Sequence, residues 1–302
     1  MNLENDILKG LQNRSVIGKV VNQIDYTSKI IPHINVIDIA GDTIKIVGLK
    51  SNAPKKHSWN YDHKDFGPDD AIVYKAELTN DDKLIFHSTF SESIEALAID
   101  PDKLSDALVK QGLKVGSDIS EYFDNEFVTK FLCKKDLYKT VIELGPTALK
   151  DVKKIAELIL TTGYDMTRPS KSFNKKNENV NVRETKLLLL FINTSLVSRM
   201  EVNSDFVAPS PALMVLEKRF IVIPINMENK CQAVLADSDG IYLARMLKNR
   251  LLEHDKYVDA HKILDHVWRK WLVTDFRPMW ALFSKDTDDA TTITPSTGGT
   301  GS

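Results

Sequence analysis

The stretch 241–272, IYLARMLKNRLLEHDKYVDAHKILDHVWRKWL, decides the reading of the fold. Its apolar residues Leu243, Met246, Leu247, Leu251, Leu252, Tyr257, Ile263, Leu264, Val267 and Leu272 recur at a spacing near 3.6. That period predicts a long amphipathic helix, broken near His254 and Asp255. A helix there makes the second half of the chain a helical body.

Working upstream, the same logic predicts more helices. Pro101 opens one, with Asp100 as its N-cap and Leu104, Ala107 and Leu108 as its apolar face, and Gly112 and Gly116 end it. Further helices are expected over 118–143, interrupted near Cys133, and over 146–162, opening at Pro146 and closed by Gly163. Thr185 to Met200 reads as a buried helix. Pro209 and Pro211 interrupt the pattern before a strand over 219–225, with 231–236 as a pairing segment and Asp239-Gly240 as a turn.

The first third has a period of two. Ile34–Ile39 and Thr43–Val47 flank Ala40-Gly41-Asp42, and Ala71–Leu78 and Lys83–His87 flank Thr79–Asp82. Each reads as a hairpin. Before them, Leu3, Ile7, Leu8 and Leu11 begin an apolar stripe that packs on its own domain or reaches a neighbouring copy. After Ser284 the chain turns to Lys-Asp-Thr-Asp-Asp and a Thr/Ser/Gly end, which has little to bury and predicts disorder.

The predicted class is α+β and predominantly helical: a small antiparallel N-terminal sheet, then a helical body and a disordered C-terminal tail. The expected division is an arm over 1–28, a β region over 29–100 and a helical lobe over 101–163. A basic flexible loop over 164–185, a helical lobe with short strands over 186–283 and a tail over 284–302 complete it.

The 302 residues carry Lys+Arg 40 against Asp+Glu 42, a formal charge of −2, with 42% hydrophobic and 27% charged residues. This balance suits a globular chain with a sizeable core, not a disordered, collagen-like or disulfide-framework protein. Nor is the whole molecule a polycation built to coat nucleic acid. Cys133 in an apolar run and Cys231 after a polar turn predict two buried thiols in a reduced compartment rather than a disulfide. The N-terminus does not read as a secretory signal. The most apolar run, Leu187 to Ile192, falls far short of the roughly 20 residues of a membrane span. A soluble protein of the cytoplasm or of a virion is expected.

The sequence holds no GxxxxGK[ST], GxGxxG, HExxH, CxxC or GxSxG pattern. His57, Asp62, His63 and Asp65 cluster in one loop, but at no metal-ligand spacing, and Lys55, Lys56 and Lys64 oppose a cation. His261 and Asp265 share a face if 241–272 is helical. Asp237 and Asp239 resemble the start of a calcium loop, but Met246 stands where the bidentate Glu belongs, leaving a turn with a cap. No metal or cofactor is predicted.

The informative feature is charge placement. Arg168, Lys171, Lys175, Lys176, Arg183 and Lys186 face only Glu178 and Glu184 over 168–186, with Phe173 among them. Lys55 and Lys56 near Trp59 and Tyr61 repeat the combination. Cations neutralise phosphates and an exposed ring stacks a base. The last stretch adds Arg245, Lys248, Arg250, Arg269 and Lys270 around Trp268 and Trp271. Arm, basic loop and low-complexity tail together suit a non-enzymatic assembly protein. The expectation is a viral coat-like or nucleoprotein subunit that self-associates as a homo-oligomer or polymer and packages single-stranded RNA. This is an analogy of architecture. The alternatives are a motif-poor α+β enzyme acting on nucleic acid, with His57, Asp62, His63 and Asp65 as its site, and a protein-binding adaptor.

Overall fold

In the computed structural model, the deciding stretch is two long strands, β9 (Ile241–Asp255) and β10 (Ala260–Val273), joined by four residues. The structure describes residues 9–10, 14–39, 41–49, 71–89, 101–138, 140–167, 188–202, 210–228, 230–255, 260–273, 279–285 and 292–295. Along β10, Ile263, Asp265, Val267, Arg269 and Trp271 are buried, while Lys262, Leu264, His266, Trp268 and Lys270 are half-buried. The governing period is therefore two, and polar residues occupy the buried register. A reading that counts only apolar residues misses that register, because Asp265 and Arg269 drop out of it.

Preceding strands are β1 (Asn35–Asp38), β2 (Thr43–Leu49), β3 (Ala71–Glu77), β4 (Lys83–Thr89), β5 (Thr140–Leu144), β6 (Leu188–Asn193), β7 (Ile221–Ile225) and β8 (Cys231–Asp237). After β10 come β11 (Met279–Ser284) and β12 (Thr292–Pro295). The helices are α1 (Arg14–Thr27), α2 (Pro101–Phe127), α3 (Val152–Thr167), α4 (Thr194–Val202) and α5 (Pro211–Glu217). The described residues thus form a mixed α+β fold with three sheets, not a predominantly helical one, and the strands are not confined to the N-terminal third.

The chain divides into two compact units that interleave along the sequence. The first comprises Met1–Ile44, Glu77–Phe127 and Tyr242–Leu272. Its sheet has the order β1-β9-β10-β4, with β1 parallel to β9 and β4 antiparallel to β10. The predicted hairpins are therefore not formed. All four strands exist, but β1 and β4 pair with strands some 200 residues on, whereas β2 pairs with β3 in a sheet of their own. Local turn signals do not report such distant partners.

Gly112 and Gly116 do not end α2. A Cβ on Gly116 would lie 2.8 Å from the Val20 carbonyl oxygen, and one on Gly112 would lie 3.1 Å from the Val20 side chain. The glycines let α1 approach α2 closely. Ser28 closes the far end of this pair: its hydroxyl donates to Asp124 at 2.6 Å and accepts the Ile30 and Ile31 amides, while the Lys29 amide donates to Asp124 at 2.8 Å. Beyond Phe127 the backbone widens to a π-turn over Val128–Leu132, so the predicted break near Cys133 is present. The helix expected to continue to 143 gives way to β5.

The second unit comprises Lys45–Ala76, Val128–Ile241 and Val273–Ser302. Its six-stranded sheet runs β12-β5-β11-β8-β6-β7. β6 stands where a buried helix was expected: all six of its residues are buried, so no alternation marks it as a strand. β8 pairs with β6 and β11, not with β7 as expected. Ile155 and Ile159 of α3, Leu196 and Met200 of α4, and Leu190, Leu235 and Leu282 of the sheet share one core. Gly163 lies inside α3 against the Phe220 ring and does not close the helix. Within the tail expected to be disordered, Thr292–Pro295 pairs with β5 as an edge strand. No helix among the described residues is long and apolar enough to cross a membrane.

Candidate functional site

The basic strip Arg168, Lys171, Phe173, Lys175, Lys176, Arg183 and Lys186 lies outside the described residues. So do Lys55 and Lys56, the arm residues Leu3, Ile7, Leu8 and Leu11, and the loop residues His57, Asp62, His63 and Asp65. The structure does place the other charged cluster that the sequence singles out, on the β9–β10 hairpin, and it sorts that cluster by face.

Arginines point to the helices. Arg250 is 0% exposed, and its Nε donates to Asp265 Oδ1 at 2.5 Å while Nη2 reaches Gln111 Oε1 and Asp265 Oδ2. Asp265 is also 0% exposed. Burial raises its pKa, and Arg250 works against that rise. Arg269 binds Glu126 through Nε at 2.8 Å and Nη2 at 2.5 Å, and donates to the Asp81 carbonyl at 2.7 Å. Arg245 forms a two-pronged pair with Asp25 of α1. A guanidinium keeps its proton and presents a planar fork, which suits a buried pair with a carboxylate. Arg245–Asp25 ties α1 to the sheet, Arg269–Glu126 and the Arg250–Gln111 bond tie α2 to it, and Arg250–Asp265 joins β9 to β10. Asp265, which a helix would have set beside His261, is engaged by Arg250, and His266 takes the opposite face of β10.

Lysines take the outer face. The register Trp268↔Lys83, His266↔Ile85, Leu264↔His87 and Lys262↔Thr89 lines them up on one side of β4 and β10. The opposite register meets α2: Phe86 stacks edge-on with Tyr122, and Ser88 bonds Gln111. Lys248 Nζ sits 3.8 Å from the Trp268 ring centre and Lys83 Nζ 4.7 Å from it. Lys83 Nζ also lies 3.8 Å from the Asp42 carboxylate. Ile85 is 59% exposed, so this face is open to solvent. The outer face therefore sets Lys83 and Lys248 against one indole, with Lys262 further along the same row of β10. The signal for this division, arginine at one parity of β10 and lysine at the other, is present in the sequence but visible only once the segment is read as a strand.

Asp237 and Asp239 form the turn expected of them, with Asp237 Oδ1 accepting the Asp239 amide at 3.0 Å. Among the described residues no group of three His, Cys, Asp or Glu side chains is placed to hold a metal ion.

The fold is similar to that of chains solved in a virus-like particle, a procapsid and a capsid. A chain of the virus-like particle from Pyrococcus furiosus superposes with a TM-score of 0.53 at 10% identity, over 91% of this chain and 98% of its own. A chain of the satellite phage P4 procapsid gives 0.54 at 11% identity, over 92% and 94%. The capsid of a GTA particle gives 0.51 at 11%, over 85% and 96%. At such identities the likeness is one of fold. No protein-family model and no curated protein matches the chain.

Proposed function

We propose that this protein is a non-enzymatic, viral capsid-like subunit that self-associates into a closed shell and resides in the virion. The observation that supports this most is the extent of the likeness. It spans 91% or more of this chain and 94% or more of the procapsid and virus-like particle chains, so it is not confined to one shared domain. The apolar stripe from Leu3, Ile7, Leu8 and Leu11 serves as an arm onto a neighbouring copy in this reading. Repeating one heterologous contact closes a ring or shell when the rotation permits it.

The finer reading is that the shell packages single-stranded RNA, held by Arg168, Lys171, Phe173, Lys175, Lys176, Arg183 and Lys186, with Lys55 and Lys56. The outer face of the β4–β10 pair adds Lys83, Lys248, Lys262 and Trp268. Electron microscopy of the purified protein, with an absorbance ratio at 260 and 280 nm, tests both levels together. The expected result is discrete particles of uniform size with co-purified nucleic acid. A protein that stays monomeric at high concentration, with and without RNA, overturns the assembly reading. Particles free of nucleic acid and indifferent to its addition overturn the packaging reading alone.

A further inference from the structure

The two cysteines of the chain, 98 residues apart in sequence, meet inside the six-stranded unit. Cys133 ends the π-turn, its amide donating to the Val128 carbonyl at 2.9 Å, and Cys231 opens β8, an interior strand. Cys231 Sγ lies 3.5 Å from the carbonyl oxygen of Leu132, the residue before Cys133. Tyr138 stands over the same point, its hydroxyl donating to that carbonyl at 2.8 Å. Both thiols are free and buried.

We propose that Cys133 and Cys231 form a peroxide-sensitive dithiol site in which Cys133 is the attacking sulfur and Cys231 the resolving one, closing an intramolecular disulfide.

Three features set the order. Cys133 is 5% exposed and adjoins the exposed Lys134 and Lys135, whereas Cys231 is 0% exposed. The neighbouring Cys231 thiol and the Glu228 backbone amide draw the Cys133 pKa below the usual thiol range, against its own burial and the Glu228 carboxylate. The Cys231 thiol, whose own donor contact in the structure is the Leu132 carbonyl, is pushed up by its proximity to Cys133 and by burial. The thiolate is the reactive form, so reaction begins at Cys133. Tyr138 faces both sulfurs with its own pKa raised by burial, so it stays a neutral phenol.

The chemistry balances with hydrogen peroxide as the two-electron oxidant. Cys133 thiolate attacks one peroxide oxygen, the O–O bond breaks, and hydroxide leaves to become water, giving Cys133 sulfenic acid. Cys231 sulfur then attacks Cys133 Sγ, the S–S bond forms, the S–O bond breaks, and the second hydroxide departs with the Cys231 proton as water. Two thiols and one peroxide yield one disulfide and two waters. The bond would tie the π-turn to the central strand β8, closing a loop of about 100 residues, and a crosslink restricts the unfolded chain more the longer the loop it closes.

The test treats the full-length native protein with hydrogen peroxide, quenches it, and records intact mass, free thiols and a peptide map. The expected result is a loss of about 2 Da with both thiols consumed, a Cys133–Cys231 linked peptide, no disulfide dimer, reversal by dithiothreitol and a Tm raised by roughly 5 °C or more. Cys231→Ser should leave a Cys133 sulfenic acid that dimedone traps, whereas Cys133→Ser should leave Cys231 unoxidised. The proposal is overturned by thiols that survive peroxide in the folded protein, by oxygen addition without the 2 Da loss, or by intermolecular disulfides. Should either variant fail to fold by circular dichroism, the wild-type peptide map still decides. None of these readouts depends on whether the protein forms a shell.

Discussion

Arg250 enters the interior of its unit with its charge intact, because no protein environment deprotonates a guanidinium. Its stability therefore depends on Asp265 and Gln111 remaining in place. Arg250→Met alone leaves the Asp265 carboxylate buried without a counter-charge, and should cost about 3–5 kcal/mol in denaturant unfolding. The double variant Arg250→Met with Asp265→Leu should recover most of that loss, since two apolar residues pack where the ions stood; the Gln111 amide oxygen, deprived of its donor, limits the recovery. If the double variant is no better than the single, the pair contributes more than charge compensation.

Two carboxylates in the same unit make opposite contributions to acid stability. Burial would raise the Asp82 pKa, but the Thr79 amide, Lys270 and the Thr79 hydroxyl together bring it below the usual value. A depressed folded pKa gives stability that is present above the unfolded value of about 3.9 and lost as pH falls through the folded value beneath it. Burial raises Asp124 despite the Ser28 hydroxyl and the Lys29 amide. Its folded form takes up a proton more readily than the unfolded chain, so it favours folding as pH falls through its raised value toward 3.9. Asp82→Asn should therefore flatten the loss of stability below about pH 4, and Asp124→Asn should steepen the decline above it. Unfolding free energies measured from pH 6 to pH 2.5 separate the two; matching curves would mean that neither carboxylate titrates as its surroundings dictate.

At the scale of elements, the crossing of α1 and α2 rests on the Gly112-x-x-x-Gly116 spacing, which leaves one face of α2 bare where Val20 and Gln23 pack. Gly116→Ala should destabilise the protein by about 1–3 kcal/mol, because its methyl group meets the Val20 backbone as well as a side chain that could yield. Gly18, on α1 with nothing within 4 Å of its added Cβ, is the contrast: Gly18→Ala should stabilise by about 0.5–1 kcal/mol. Denaturant midpoints at constant slope check both.

These glycines also show what the sequence discloses at this scale. Gly112 and Gly116 read as helix ends because a glycine that stops a helix and one that admits a neighbour look alike without the neighbour. Pro101, the break at Cys133, the strand 221–225 and the Asp237 cap were legible, since each depends on residues a few positions away. The strands β1 to β4 were legible as strands but not in their pairing, which is set by partners far along the chain. Hardest were β6, buried on every residue, and β10, whose inward row includes Asp265 and Arg269; neither presents the alternation of apolar and polar residues that identifies a half-buried strand. Of the candidate site, the residue types on the hairpin were visible, but not the division of arginine inward and lysine outward, which exists only when the period is two.

For the whole molecule, a formal charge of −2 across 302 residues conceals that division. Arg245, Arg250 and Arg269 are paired with Asp25, Asp265 and Glu126, the last two pairs buried, so they add little to an external field. In the proposed function a polyanion meets the outer sheet face at Lys83 and Lys248, beside Trp268, together with the strip 168–186 assigned to RNA. This makes a quantitative statement about salt. Each phosphate contact with single-stranded RNA contributes about −0.7 to the slope of log affinity against log salt concentration. Replacing Lys171, Lys175 and Lys176 by Ala should reduce the slope by about 2, and replacing Lys248 and Lys262 should reduce it by about a further 1.4. Fluorescence anisotropy with a labelled oligoribonucleotide from 50 to 300 mM salt measures both, and particles formed by each variant in the microscope show whether assembly persists. A slope lowered only by the first set places RNA on the strip and frees the sheet face for contact between subunits; a slope unchanged by either set removes RNA from the proposed function while leaving the shell to be judged on particles alone.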